Sequence, residues 1–145
     1  EIIIPHGEIV APKPTKRSGG SGTRTGSLPS YSGYYIRPIV GGVRTQGIHG
    51  NNGVDLANKL GTDIIASAPG QVIIARTGGW NGGYGNYVVI KHDNGSQTLY
   101  GHLLDVTVAP GQTVGQGEPV GHLGSSGNST GPHIHFEIRG ARNPF

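Results

Sequence analysis

Short apolar runs, each closed by a turn signal, constrain this chain more than any other feature. TDIIASA (62–68) meets Pro69-Gly70, and QVIIAR (71–76) meets the glycine-rich TGGWNGGYG (77–85). NYVVIKH (86–92) meets Asp93-Asn94-Gly95, a strong hairpin signal, and QTLYGHL (97–103) follows it. Further short runs lie at 106–108, Pro119–Leu123 and His133–Arg139. Runs of this length, rich in Val, Ile and Tyr, read as strands; only VDLANKL (54–60) allows a helical turn. The fold class is therefore mainly β, antiparallel, with long loops and no internal repeat.

Glycine and proline, 28 and 10 of 145 residues, are too frequent to ignore, and their positions separate two uses. Many punctuate strands, as above. Others sit in APKPTKRSGGSGTRTGSLPSYSG (11–33), which lacks hydrophobic periodicity and reads as a Gly/Ser/Pro-rich linker. Ordered chain is expected from Tyr34 to Phe145, and EIIIP at the front is a separate strand-like piece. No apolar run approaches the roughly 20 residues of a membrane span, and no signal peptide is recognisable. A first residue of Glu points to a processed or excised piece whose targeting information lies elsewhere.

The absence of cysteine excludes thiolate metal sites and cysteine nucleophiles. No Gly-x-Ser-x-Gly elbow is present, and Glu118 and Glu137 are too far apart in sequence to suggest a two-carboxylate glycosidase. The net charge of +3 suits polyanions in general. Several of the basic residues fall in the linker and strand aromatics are few, so a nucleic-acid-binding sheet is disfavoured.

Seven histidines remain: His6, His49, His92, His102, His122, His133 and His135. A lone histidine usually packs or faces solvent, so combinations must carry any argument. In His133-Ile134-His135 the two imidazoles share one strand face, about 7 Å apart, while Ile134 and Phe136 face a core. This fits either two solvent-facing residues or one metal ligand beside one proton carrier. In GIHGNNGVDLA (47–57), His49 and Asp55 lie on a segment able to bend both to one point; turn chemistry is the plain alternative. In LYGHL (99–103), strict alternation puts Tyr100 and His102 on one face, as an active-site wall or a simple cross-strand pair. His92, at the start of the Asp-Asn-Gly turn, and His122 read as structural.

From about Tyr34 onward the chain resembles the lysostaphin/LytM-type zinc peptidases, peptidase family M23. HGNNGVDLA, GTDIIASAPGQV, GWNGGYGNYVVIKH, LYGHL and GQTVGQGEPVGHLGSSGNSTGPHIHFE occur in the family's order. The resemblance covers about three quarters of the chain and implies antiparallel sheets around an open groove. It implies a zinc ion held by His49, Asp55 and His135, with water in the fourth position. It implies His133 as general base and His102 as the residue that orients or stabilises the tetrahedral intermediate. The implied substrate is the peptide stems and cross-bridges of bacterial peptidoglycan, cut by an endopeptidase outside the cytoplasm: extracellular, periplasmic or cell-envelope associated. A monomer is expected. The loop around Trp80 and Tyr84 and the loop bearing Asn128, Ser129 and Thr130 would wall a groove for an extended peptide; Trp80 could equally anchor its own loop by packing.

One departure from the family pattern matters. The commonest spacing puts three residues between the first His and the Asp, whereas five intervene here and Asn51 occupies the usual His position. EIIIP also resembles the closing strand of a LysM wall-binding module, placing a possible end of such a module at 1–10. The chain ends slightly earlier than family members usually do. The rival from another class is an inactive M23-like domain that binds wall or activates an amidase. Such relatives characteristically lose the zinc ligands, and this chain keeps all three.

Overall fold

Successive side chains along a strand point to opposite faces, and the central strands of this chain bury apolar side chains on both of them. The computed structural model describes residues 28–145. The strand-like run at 2–4, the module-like segment 1–10, His6 and residues 11–27 of the linker lie outside them. Nine strands follow in order: β1 (Val43–His49), β2 (Gly53–Ala57), β3 (Asp63–Ile65), β4 (Gly70–Arg76), β5 (Asn86–His92), β6 (Gln97–Val106), β7 (Thr113–Val114), β8 (Pro119–Leu123) and β9 (His133–Arg139). The main path of pairing runs β1-β2-β9-β6-β5-β4-β7, with β3 on β8 and β8 also on β6. Every pairing is antiparallel. Among the described residues the one helical piece is a 3-10 turn at Asn81–Gly83, so the mainly antiparallel β class is as expected.

Cross-strand register explains how core and site share one sheet. Val54, Phe136, Tyr100 and Val88 are successive partners across β2, β9, β6 and β5, and all four are fully buried. They belong to the main core with Leu56, Ile134, Ile138 and Ile90. Burying a side chain of this size contributes about 2 kcal/mol. One position along, Asp55, His135 and Gly101 are partners, and they project to the other face. That face carries a smaller apolar cluster of Ile74, Tyr84, Tyr87, Val89 and Leu99. The site thus lies on the back of the main core, beside this second cluster.

Three expectations change. Residues 54–60 hold no helical turn: Gly53–Ala57 is a strand, because Val54 and Leu56 enter the core while Asp55 faces away. Packing also reaches back past Tyr34 into the end of the linker. Tyr31 packs on the main core, and the Pro29 carbonyl accepts from the Arg142 amide at 2.8 Å. Lastly, Tyr100 and His102 do not share a face. Tyr100 is buried against Phe136, its hydroxyl accepting from the Ser67 amide at 3.0 Å. His102 has φ of 64°, a left-handed conformation that breaks the alternation and turns its ring toward the groove.

Candidate metal centre and groove

Asp55 and His135 face each other across β2 and β9, with Asp55 Oδ1 2.9 Å from His135 Nδ1. His49 closes the set from the end of β1, its Nε2 3.5 Å from Asp55 Oδ1. The longer His-to-Asp spacing is used up in the β1–β2 connection, where the pairing shifts register between Gln46 and His49. Asn52, at φ 62°, pins that connection by donating from Nδ2 to the Ile138 and Ala141 carbonyls at 2.7 and 2.8 Å. One ligand atom from each of His49, Asp55 and His135 lies within 4.8 Å of the others. Two imidazoles and a carboxylate at this separation fit a borderline ion such as zinc.

His133 and His102 stand beside these three. His133 Nε2 is 3.8 Å from Asp55 Oδ2, and the rings of His102 and His133 are 4.8 Å apart. The His102 amide donates to the Tyr84 carbonyl at 2.7 Å, which holds its unusual backbone in place. Outer hydrogen bonds set how each ring is presented. His49, His102 and His133 donate from Nδ1 to the carbonyls of Gly47, Ser126 and Gly131, at 2.7, 2.7 and 3.0 Å. Each therefore offers the lone pair of Nε2.

Burial and charge separate the electrostatic roles. Burial would raise the Asp55 carboxyl, but the hydrogen bond and charge of His135, with His133 and His49 nearby, hold it below the ordinary carboxylate value. Burial would lower His135, but hydrogen bonds and charge from Asp55 and Glu137 push it up to about 9. His102 goes the other way: burial, aided by the charges of His133 and His135, lowers it to about 4 against the Ser126 hydrogen bond. At neutral pH His102 is thus an uncharged acceptor at Nε2.

These residues floor a cavity of about 280 Å³. Asn128, Ser129 and Thr130 line it together with Gly82 and Gly83. The two loops touch backbone to backbone, the Asn128 amide donating to the Gly83 carbonyl at 2.8 Å. Tyr84 lines the cavity but is only 3% exposed, whereas Trp80 is 60% exposed and is not among the lining residues. His92 and His122 lie elsewhere. His92 is buried with Nδ1 on the Pro69 carbonyl and Nε2 on Thr98 Oγ1, both at 2.8 Å. His122 bridges Asp105 at 2.7 Å and Asp63 at 3.3 Å across β3, β8 and β6. One residue of the site escaped sequence reasoning. Glu137 shares the His133/His135 face of β9 and accepts from His135 Nε2 at 2.7 Å; extending the period-two pattern by one step would have found it.

What these atoms can do together is hold a divalent ion at the floor of an open cavity. The chain belongs to peptidase family M23, whose model matches residues 49–145. It is 45% identical over 112 residues to the DD-carboxypeptidase/endopeptidase Mpg of Neisseria meningitidis serogroup B, covering 77% of this chain and 24% of Mpg. It is 35% identical over 133 residues to the murein hydrolase activator EnvC of Escherichia coli, covering 88% of this chain and 31% of EnvC. Among solved structures it resembles a zinc-containing peptidase from Vibrio cholerae, with a TM-score of 0.56 and 33% identity over 77% of this chain and 35% of that one. The chain therefore spans about a quarter to a third of the length of these relatives.

Proposed function

We propose that residues 34–145 form a zinc metallo-endopeptidase that hydrolyses peptide cross-links of bacterial peptidoglycan. The observation that carries this reading is the convergence of His49 Nε2, Asp55 Oδ1 and His135 Nδ1 at the floor of an open groove. Zinc held there would lower the pKa of water to about 7 and polarise the scissile carbonyl. The chain's own residues supply the rest. His133, with Nδ1 donated to Gly131, takes the proton of the attacking water at Nε2 and returns it to the departing amine. His102, an acceptor at Nε2, orients that water or a substrate N–H. Of the two roles the family resemblance implies for His102, an uncharged ring whose Nδ1–H is taken by the Ser126 carbonyl favours orientation over charge stabilisation. Asn128, Ser129 and Thr130 offer polar groups to an extended peptide along the groove wall.

The names of the relatives support a wall substrate and a place outside the cytoplasm, whether periplasmic, extracellular or envelope-bound. Among the described residues no helix is long and apolar enough to cross a membrane. The working unit is a monomer, with the linker joining it to an upstream wall-binding module. Similarity to EnvC favours a second reading, an activator without catalysis. Metal analysis of the purified protein, combined with mass spectrometry of digested wall fragments, separates the two. The peptidase reading expects one zinc per chain and new peptide ends at a cross-link. Bound zinc without new ends, across several wall chemistries, favours the activator.

A further inference from the structure

Four histidines line the groove, and His135 is turned differently from the other three. His49, His102 and His133 rest Nδ1–H on main-chain carbonyls and present Nε2. His135 donates from both nitrogens to carboxylates, Nδ1–H to Asp55 Oδ1 at 2.9 Å and Nε2–H to Glu137 Oε2 at 2.7 Å, and would give up the Nδ1 proton to take an ion. That carboxylate is fully buried and tightly held. Oε2 also accepts from the Tyr84 hydroxyl at 2.9 Å, and Oε1 accepts from Arg139 Nε at 2.9 Å and from its terminal nitrogen. The Tyr84 ring lies nearly parallel to the His135 ring, centroids 6.1 Å apart. Over the other edge of the imidazole, β2 has glycine: a Cβ on Gly53 would stand 2.9 Å from His135 Nε2 and 3.1 Å from Glu137 Cγ.

A buried glutamate is costly to keep, and a carbonyl acceptor would suffice to fix a tautomer, as it does three times in this groove. A carboxylate adds negative charge behind the ring, which strengthens the opposite nitrogen as a donor. We infer that Glu137 is a positioning residue for the metal centre: it holds the proton of His135 on Nε2, aims the Nδ1 lone pair at the space shared with Asp55 and His49, and raises its affinity for the ion. Arg139 and Tyr84 hold the carboxylate in place. This role rests on the metal reading above.

Glu137→Gln tests it with almost no change of shape. Arg139 still needs an acceptor, so the amide oxygen turns to Arg139 and the amide NH2 meets His135 Nε2. There it can only donate, which drives the ring proton to Nδ1 and removes the ligand lone pair. Zinc affinity, measured by competition with a chelator, should fall about 10- to 100-fold while near-UV circular dichroism stays native. In 15N-labelled, zinc-loaded wild type, the His135 ring proton should sit on Nε2 and exchange slowly. This readout needs no variant, so a Glu137→Gln protein that fails to fold leaves the test intact. A folded Glu137→Gln protein with wild-type zinc affinity, or a wild-type ring protonated on Nδ1, overturns the role and leaves the metal reading standing. Wild-type protein that binds no zinc overturns the metal reading and this role with it.

Discussion

Asp55 and His135, eighty positions apart, are directly paired residues on adjacent strands, and their side chains meet at 2.9 Å. The shortest contact among the three proposed ligands is thus built into the β2–β9 ladder and needs no loop to close. His49 arrives from a turn, and His133 and His102 flank the pair.

This arrangement separates binding from chemistry. His135→Ala should lose both zinc and activity, since it removes a ligand and the acid's main partner. His102→Ala should keep zinc at wild-type stoichiometry and lose about 10²- to 10⁴-fold in kcat. Metal analysis alongside a wall-digestion assay reads both. Full activity in His102→Ala would sink the role given to that residue.

Removing the metal should also weaken the fold. Anything bound only by the native state stabilises it by mass action, about 2.7 kcal/mol at a hundredfold excess over Kd. Melting with a strong chelator should therefore fall several degrees below melting in excess zinc. The difference should vanish in His135→Ala.

Gly53→Ala tests the close approach of β2 to His135. The new methyl would stand 2.7 Å from His135 Cε1, so ring or strand must move. A loss of about 1–3 kcal/mol is expected by chemical denaturation, with weakened zinc binding. Gly115→Ala is the control: the nearest atom to its Cβ would be Glu118 Oε1 at 3.9 Å, and stability should change by less than about 0.5 kcal/mol.

The two groove loops make a second prediction about shape. At Gly127, φ is 74°, and a Cβ would stand 2.6 Å from the Gly83 carbonyl oxygen and 2.8 Å from Gly85 Cα. Gly127→Ala should part the loop bearing Asn128, Ser129 and Thr130 from its neighbour. We expect a higher KM on wall fragments with zinc content unchanged. An unchanged KM would show that this wall does not hold substrate.

Away from the site, His92 should set part of the acid limit. A directed chain runs from the Ser67 amide to the Tyr100 hydroxyl, to Thr98 Oγ1, to His92 Nε2, and out from Nδ1 to the Pro69 carbonyl. Burial lowers the pKa of His92, opposed by the Pro69 hydrogen bond and the Asp93 charge. The unfolded chain then binds a proton, near its ordinary value of about 6.5, before the folded chain does. Stability should fall as pH drops below about 6.5. Melting between pH 7.5 and 5 in excess zinc should give a shallower slope for His92→Gln than for wild type; equal slopes would remove His92 from the account.

Much of this was legible in the residues. Turn signals at Pro69-Gly70 and Asp93-Asn94-Gly95 delimit β4, β5 and β6, because those residues pre-set or permit the backbone that a turn needs. His-x-His on a strand puts both rings on one face wherever the strand goes. Tyr100 and His102 misled the same rule: alternation assumes extended backbone, and the left-handed conformation of His102 is held by tertiary contacts to Tyr84 and Ser126. Glu137 lies one step further along the same period-two face as His133 and His135, but its hydrogen bond to the His135 ring and its enclosure by Tyr84 and Arg139 come from packing.

The sequence by itself determined which chemistry is available, imidazole and carboxylate without thiol, and which side chains can share a face, because period-two projection is local geometry. Only the tertiary structure decided which of the six histidines among the described residues meet. That depends on the register of β2 against β9 and of β9 against β6, and a slip of one residue would turn Asp55 or His135 into the core. Register is chosen by the summed burial of Val54, Leu56, Ile134, Phe136 and Tyr100, a property of strands brought together and not of any one of them.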